Sequence, residues 1–501
     1  MPLLNHRLFF GFILVPVALM GTMSADAAED VRVWEEAMTL PTYEVGPTDI
    51  NPRFLEQRSY QGAKGPVYPY AMLDTLTQTK ADHTYKALYL ENEYVRFCVL
   101  PEIGGRIFEA YDKTNDHHFF YRQHVIKPDL ISMLGAWISG GVEWCVFHHH
   151  RNTSFLPVDY CLAENDDGGK TIWIGETERR HRMKWLIGMT LHPGQSRLDV
   201  TVKLFNGTPY VNTVLFWANV AIHATDGYQV IFPPSTQFAT FHGKNEFAHW
   251  PISHEVFNHA DYTKGVDVSW WKNHAGATSF FAWNAQEDFY AGYDHDKHAG
   301  VVHVADHQIM PGMKLWTWGT QSTGDRIKLT DSDGPYAEIM AGAYSDNQPD
   351  YSWIQPHEVK TFTQCWYPLR ELDGVCNATR DAAVNLTVAA DKARVAFNTV
   401  GKHTGAWVVL SAKGEKLLEK TIAIDPSQPF AEEATIPQST QETDLRAALY
   451  DEDGRELVAY QRKTYEPQPM PEAVTPPPPP AEIKTVEELY LAGQRLQQFY
   501  N

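Results

Sequence analysis

The segment GGVEWCVFHHH at residues 140–150 brings together side chains that bind metals or transfer protons. Glu143 precedes three consecutive histidines, and histidine is both a common metal ligand and the side chain that titrates nearest neutral pH. On an extended strand, His148 and His150 would share one face, whereas His149 would lie on the other. The segment therefore fits a metal site with Glu143 as a third ligand, a proton-transfer site or a structural loop.

The usual sequence signatures of metal sites do not occur elsewhere in the chain. There is no HExxH or CxxC spacing, and the five cysteines are odd in number and widely scattered. We therefore expect no metal, no cofactor and no disulfide framework.

Tryptophans are frequent near these polar side chains. Sugar rings offer apolar C–H faces to aromatic rings and hydroxyl edges to polar side chains, so the combination favours a carbohydrate ligand. For any single tryptophan the alternative is an ordinary core position. The tryptophans concerned are Trp137, Trp144, Trp217, Trp316 and Trp318.

Alternating apolar and polar residues predict the elements that position these side chains. The alternation is clear at residues 95–99, 172–174 and 198–204, and turn-forming clusters such as residues 165–169 separate such segments. Because no βαβ rhythm is present, we predict a mainly β fold with one large antiparallel domain at residues 28–380.

The sequence pattern changes after residue 380. Shorter strands with few aromatics predict a small immunoglobulin-like β-sandwich module at 381–465, followed by a Pro-rich linker at 466–484. Thr485 and Glu488 form a capping box that begins a helix at 485–501. One amphipathic helix cannot bury its own apolar face, so it either docks on the sandwich or needs a downstream helical partner.

The net charge and the N-terminal residues indicate which partners and which compartment to expect. A formal net charge of −20 disfavours nucleic acid and anionic membrane surfaces and favours neutral substrates. Residues 1–27 combine His6 and Arg7, an apolar run and a small-residue cleavage site, which predicts a signal peptide and export to the periplasm or the extracellular space. The alternative is an uncleaved anchor.

Several long stretches resemble a bacterial protein family, DUF5107, over roughly residues 30–380. The resemblance implies a galactose-mutarotase-like antiparallel β-supersandwich, often followed by tetratricopeptide repeats that bind protein partners. The stretches that carry it are LPEIGGRIFEAYDK (100–113), FFYRQHVIKP (119–128), GAWISGGVEW (135–144), FWANVAIHATDGYQVIFPPST (216–236), GYDHDKHAGVVHVADHQIMPGMKLWTWG (292–319) and DGPYAEIMAGAYSDNQPDYSWIQP (333–356).

The resemblance also implies roles for individual residues. In a mutarotase-type mechanism a histidine protonates the ring oxygen and a carboxylate removes the proton of the anomeric hydroxyl; His223 and Glu338 resemble these two residues by strand order. Arg106 resembles an arginine that contacts sugar hydroxyls, and Glu143 is the second carboxylate that cleavage of a glycosidic bond would need. The remaining residues expected to bind substrate are Trp137, His149, His150, Asn219, His303, Asp306, His307 and Trp316.

Two functions remain open from the sequence. The first is an exported carbohydrate-active enzyme that uses histidine and carboxylate acid–base catalysis on a glycoside or an aldose. The second is a non-catalytic glycan-binding module joined to a protein-interaction repeat region. If the protein is an enzyme, substitution of the predicted acid or base should abolish turnover. If it is a binding module, the same substitution should leave binding and all biological output intact.

Overall fold

A computed structural model describes residues 30–48, 67–148, 150–321 and 329–498. The predicted signal peptide at residues 1–27 and the predicted ligand residue His149 lie outside these ranges.

Most of the described chain consists of short strands joined by turns, as the alternating sequence pattern predicts. In the first half the strands are β1 (Arg32–Val45), β2 (Leu76–Glu91), β3 (Val95–Leu100), β4 (Arg106–Asp112), β5 (His117–His118), β6 (Asp129–Ser132), β7 (Gly135–Trp137), β8 (Val142–Val146), β9 (Asp159–Glu164), β10 (Lys170–Thr177), β11 (Lys184–Leu191), β12 (Leu198–Phe205), β13 (Asn212–Val214), β14 (Phe216–His223), β15 (Tyr228–Ile231), β16 (Phe238–Thr240) and β17 (Phe247–His249). The later strands are β18 (Ile252–Ser253), β19 (Val256–Phe257), β20 (Ala260–Asp261), β21 (Val266–Asp267), β22 (Thr278–Ala282), β23 (Phe289–Asp294), β24 (Ala299–Val304), β25 (Gly312–Thr317), β26 (Tyr336–Ala343), β27 (Ser352–Ile354), β28 (Val359–Arg370), β29 (Asn377–Ala378), β30 (Ala382–Ala389), β31 (Lys392–Thr399), β32 (His403–Ala412), β33 (Glu415–Ile424), β34 (Phe430–Thr435), β35 (Leu445–Tyr450) and β36 (Glu456–Gln461).

Two large antiparallel sheets form the first domain. The larger sheet has the order β1-β2-β3-β4-β8-β14-β26-β25-β22-β16-β17, with β5 paired to β4. The other sheet has the order β15-β23-β24-β28-β12-β11-β10-β9. The prediction of a mainly β fold built from antiparallel sheets is therefore confirmed.

The two sheets stack through a shared apolar core. On β12 every second residue from Leu198 to Leu204 is buried, which is the alternation seen in the sequence. Across the sandwich, Phe216 of β14 meets Phe362 of β28 edge to face, with ring centroids 4.9 Å apart. Burial of these inward faces leaves the outward face of the larger sheet free to carry a site.

A small β module follows the large domain. Its two four-stranded sheets, β29-β30-β31-β34 and β33-β32-β35-β36, enclose their own core with Phe397 and Val408 at its centre. A second apolar cluster joins the module to the large domain, with Tyr367 and Leu369 on one side and Ala396 on the other.

The Pro-rich segment lies against the large domain. The Gln468 amide donates to Gln237 Oε1 at 3.0 Å, and the Val474 amide donates to the Lys244 carbonyl at 2.8 Å. The helix α1 (Val486–Gln498) follows, and its Glu488 amide donates to Thr485 Oγ1 at 3.2 Å, as the capping box predicts. Within the described ranges, no helix combines the length and the apolar character needed to cross a bilayer.

Candidate functional site

Adjacent strands of the larger sheet build the floor of a cavity. Strands β8, β14, β26 and β25 are neighbours, and their register aligns Glu143 with Asn219, Asn219 with Met340, and Met340 with Lys314. Residues on either side of this row point into the sandwich core, so the row itself belongs to the opposite face. The alternation thus gathers a carboxylate, an amide and an ammonium on one surface.

The neighbouring rows add aromatic rings and a second carboxylate. Glu338 of β26 lies opposite Trp316 of β25. On the other side, the Trp217 indole lies over Gly342 and Gly312, where an added Cβ would come within 2.5 Å and 2.6 Å of the indole ring. Glycine is therefore required at both positions to let this ring lie flat against the sheet.

The cavity above this floor has a volume of about 300 Å³, at the lower end of the range for small-molecule sites. Trp316 and Trp318 meet in its wall with ring centroids 4.7 Å apart and nearly perpendicular planes. The residues that line the cavity are Ile131, Trp137, His150, Asn219, His242, Lys314, Trp316, Trp318, Glu338, Met340, Gln348 and Pro349.

Glu143 lies directly behind one wall of the cavity and is almost fully buried. Its Oε2 accepts hydrogen bonds from Trp137 Nε1 at 2.8 Å, His150 Nδ1 at 2.8 Å and Asn219 Nδ2 at 3.5 Å. Burial by itself raises the pKa of a carboxyl, but His150, Arg106 and the Trp137 hydrogen bond outweigh it and lower the pKa of Glu143 to about 2. Glu143 is therefore ionised at neutral pH.

The ionised Glu143 fixes the tautomer of His150. Nδ1 of His150 must carry a proton to bond to the carboxylate, so Nε2 is the basic nitrogen of the neutral ring. The His150 side chain lines the cavity. A carboxylate that orients an imidazole in this way prepares the ring to accept a proton from a bound ligand.

Glu338 has the opposite electrostatic environment. It is buried in the cavity floor, and burial raises the pKa of its carboxyl above the usual value, although the Tyr336 hydrogen bond and Lys314 act in the other direction. The Tyr336 hydroxyl donates to Glu338 Oε1 at 2.6 Å. Two carboxylates with pKa values moved in opposite directions are the arrangement that separates a proton donor from an ionised group.

Lys314 is a buried ammonium at the other end of the cavity. Its Nζ lies 3.1 Å from His242 Nε2 and 2.7 Å from Gln348 Oε1, and His242 Nδ1 lies 2.9 Å from the Ser279 hydroxyl. Burial lowers the pKa of Lys314 to about 7, against the opposing effect of Glu338. Both the charged and the uncharged form of Lys314 are therefore populated near neutral pH, and its hydrogen-bond acceptors are uncharged side chains.

Several buried polar atoms at the cavity have no hydrogen-bond partner among the described residues. Buried polar groups in folded proteins are nearly always satisfied, so a cluster of unsatisfied atoms marks a place for a polar ligand or water. The atoms are Glu143 Oε1, Asn219 Oδ1, Trp318 Nε1 and Gln348 Nε2.

Two groups of donor atoms in the described ranges are close enough to consider for a cation. Glu143, Cys145 and His150 form one group and the more exposed Asp288, Asp306 and His307 the other, with donor atoms within 4.8 Å of one another. In the first group, the 2.8 Å contact between Glu143 and His150 is a hydrogen bond between two of the three donors. The second group lies outside the cavity.

The structure brings together five of the residues predicted from sequence to form the site. Glu338, Trp137, His150, Asn219 and Trp316 all line the cavity. The predicted catalytic residue Glu143 lies one layer behind it, where it orients His150 and Trp137.

Two predicted residues lie near the cavity without lining it. Arg106 is buried under Trp137, with its guanidinium carbon 5.6 Å from the ring centre, and donates to the Gly140 carbonyl. His223, predicted as the catalytic acid, stacks on Tyr121 at 3.9 Å, and its Nε2 accepts the Arg122 backbone amide at 3.3 Å. Burial lowers the pKa of His223 to about 3.

The remaining predicted residues lie elsewhere. His303 is buried on β24 in the other sheet, 2.9 Å from Gln364 Oε1. His307 follows Asp306 on one loop, and its Nδ1 lies 2.7 Å from Asp288 Oδ1. These three side chains do not line the cavity.

Three polar lining residues were not assigned to the site from sequence: His242, Lys314 and Gln348. Lys314 precedes Trp316 by two residues on one strand, so period-two alternation could have placed it beside that tryptophan. His242 and Gln348 enter from turns far apart in sequence, and no local pattern brings them together.

Two protein families match parts of this chain. The chain matches the family described as Domain of unknown function (DUF5107) over residues 63–369, which is more than half of its length. Residues 377–460 match a second family, described as YphG-like protein, second domain.

Several solved structures align with part of this chain. A TPR-domain containing protein from Parabacteroides distasonis aligns with a TM-score of 0.59 and 22% identity over 68% of this chain. The chain spans 56% of that protein's length. Galactose mutarotase-like proteins from Clostridium acetobutylicum and Lactobacillus casei align with TM-scores of 0.39 and 0.38, at 12% and 8% identity, over 57% and 56% of this chain and 96% and 99% of theirs.

Proposed function

This chain belongs to the DUF5107 family, and we propose that its large domain binds a carbohydrate in the cavity and transforms it by acid–base catalysis. One observation carries this proposal. A buried carboxyl with a raised pKa, Glu338, and a carboxylate-oriented imidazole, His150, line the same tryptophan-walled cavity.

The walls of the cavity support a sugar as the ligand. Trp137, Trp316 and Trp318 supply aromatic surface for the C–H faces of a sugar ring. The unsatisfied oxygen of Asn219 and the unsatisfied indole N–H of Trp318 supply an acceptor and a donor for hydroxyl groups. A sugar offers both kinds of surface at once, whereas a purely apolar ligand would leave these polar atoms unpaired.

Proton transfer at an acetal needs an acid and a base. Glu338 holds its proton to a higher pH than an exposed glutamate and is suited to protonate a ring or glycosidic oxygen. His150, oriented by Glu143, is suited to remove a proton from a hydroxyl group or from an attacking water. The same pair would serve either anomeric interconversion of an aldose or hydrolysis of a glycoside.

The geometry favours His150 over His223 for the histidine role. His150 lines the cavity, whereas His223 does not line it and its Nε2 accepts a hydrogen bond from the Arg122 backbone amide. Its lowered pKa also makes His223 a weak base. In this proposal Glu143 is a positioning residue that acts through His150.

Export and a protein partner are further parts of the proposal. A basic pair, an apolar run and a small-residue cleavage site at residues 1–27 support a signal peptide, which N-terminal sequencing of the mature protein would test. The aligned TPR-domain containing protein supports a role beside helical repeats that bind protein partners.

A screen of the purified chain against an oligosaccharide library tests the function. Each sugar is assayed for new products and for a shift in unfolding temperature, because a bound ligand stabilises the folded state. We expect at least one sugar to give both, and Glu338→Gln to keep the shift and lose the products. Temperature shifts without products would identify a glycan-binding module. If no sugar in the library gave a shift or a product, carbohydrate binding would be refuted.

A further inference from the structure

We propose that the Lys314 end of the cavity is a subsite for the carboxylate of an acidic sugar, so that the substrate contains a uronate residue. This inference rests on the proposed function and adds the chemical class of the ligand. It begins from an ammonium that is 3% exposed and enclosed by side chains of the large sheet and two turns.

Lys314 has no carboxylate dedicated to it among the described residues. Its two hydrogen-bond acceptors, His242 Nε2 and Gln348 Oε1, are uncharged. Glu143 accepts hydrogen bonds from His150 and Trp137 through its Oε2, and in the described ranges no ion pair joins Lys314 to Glu143 or Glu338. A buried ammonium without a counter-ion is costly and readily loses its proton, and a ligand carboxylate would hold the side chain in its charged form.

The hydrogen-bond donors at this end also suit a carboxylate. Lysine carries three N–H donors and two of them are used by His242 and Gln348, which leaves one. Because the Gln348 oxygen faces Lys314, its Nε2 is the donor that remains, and it is buried and unsatisfied within the described ranges. Two donors on neighbouring groups match the two oxygens of one carboxylate.

The position of this subsite relative to the catalytic pair is consistent with a sugar that spans the cavity. Lys314 and Trp316 occupy alternate positions on β25, and Glu338 lies opposite Trp316 on β26. A ring held against Trp316 would therefore place a substituent near Lys314 while another part of the ring lies near Glu338. The formal net charge of −20 disfavours anions elsewhere on the surface, which makes a local cation the selective feature.

Binding to paired oligosaccharides tests the inference. Each pair has the same linkages and differs only in a C6 carboxylate or hydroxymethyl group, as in oligogalacturonides and galacto-oligosaccharides, and sulfated neutral sugars are included. Wild type should bind the uronate member of at least one pair about tenfold more tightly. Lys314→Met should abolish that preference, whereas Lys264→Met, which removes an exposed charge on a turn, should keep it.

A second variant distinguishes loss of the subsite from misfolding of the protein. Gln348→Glu keeps Lys314 and the size of the side chain but places a negative charge beside the subsite, so it should also abolish the uronate preference. Thermal unfolding establishes that each variant is folded, and removal of a buried charge should not lower the stability of Lys314→Met.

The outcomes separate this inference from the proposed function. Equal binding within pairs, a uronate preference that survives both substitutions, or a stronger preference for sulfated sugars would overturn the inference. Binding and conversion of neutral sugars alone would overturn it while leaving the proposed function intact. Failure to bind any sugar would overturn both.

Discussion

At the scale of single residues, the site depends on two carboxylates that have different partners. Glu143 accepts three hydrogen bonds through one oxygen and is held ionised, whereas Glu338 accepts a phenol and lies in a buried floor that favours its protonated form. The side chains are chemically identical, so the difference between their surroundings is the basis for proposing Glu338 as the acid and Glu143 as a positioning residue.

Substitution of Glu338 should separate catalysis from binding. Glu338→Gln keeps the size of the side chain and cannot deliver a proton, so kcat should fall by about 10²- to 10⁴-fold with little change in KM. Product formation from a library sugar measures both constants. Glu415→Gln, at the exposed start of β33, is the matched control. Wild-type turnover in Glu338→Gln would exclude Glu338 as the acid.

Substitution of Glu143 should destabilise the fold in a pH-dependent way. Because folding lowers the pKa of Glu143 to about 2, its ionisation contributes stability above the unfolded pKa and loses it as the pH falls toward 2. Glu143→Gln should cost about 1–3 kcal/mol of unfolding free energy at pH 7. Denaturant unfolding at several pH values should show the difference from wild type shrinking below about pH 4. A difference that grows in acid would contradict this account.

The sequence identified this site in part. Glu338, His150, Asn219, Trp137 and Trp316 were predicted and line the cavity, because strand alternation and the family motifs carry them. Turns distant in sequence supply His242 and Gln348, and such tertiary contacts leave no local pattern. The degree of burial that separates the environments of Glu143 and Glu338 is likewise a property of the folded sheet.

At the scale of elements, strand alternation gives the middle strands of the larger sheet one face toward the cavity and one face toward the sandwich core. On β26, Glu338, Met340 and Gly342 face the cavity side, whereas Ile339 and Ala341 enter the sandwich core. Gly342 leaves space for the Trp217 indole, which in turn supports the floor next to Asn219.

Addition of one methyl group should disturb this floor. A Cβ at position 342 would lie 2.5 Å from the Trp217 ring, so Gly342→Ala should cost about 1–3 kcal/mol of unfolding free energy through overpacking and weaken sugar binding. Gly276→Ala, where a Cβ meets open space, should change the stability by less than about 0.5 kcal/mol. Thermal unfolding compares the two variants. Equal stability would show that Trp217 does not constrain the floor.

At the scale of the whole molecule, the large domain and the small module share an apolar interface. Tyr367 and Leu369 of β28 contribute to the same buried cluster as Ala383 and Ala396 of the module, and the Pro-rich segment contacts the large domain at Gln237. The alternation of residues predicted the individual strands, but the partner of each face follows from topology and was not predictable from local pattern.

This interface should make the two β units unfold together. Scanning calorimetry of the wild-type chain should show one cooperative transition, because separation of the units would expose the buried cluster. Ala396→Glu places a charge in that cluster and should split or broaden the transition, whereas Ala389→Glu, at an exposed end of β30, should not. Two separate transitions in wild type would show that the interface contributes little.

In the proposed function, the cavity over β8, β14, β26 and β25 holds a sugar between its tryptophans and its acid–base pair. A crystal structure of Glu338→Gln with a sugar that the wild type binds tests this most directly. We expect a sugar ring packed on Trp316 or Trp318, with an acetal oxygen within hydrogen-bond distance of the side chain at position 338. A sugar bound elsewhere on the molecule, with the cavity empty, would contradict it.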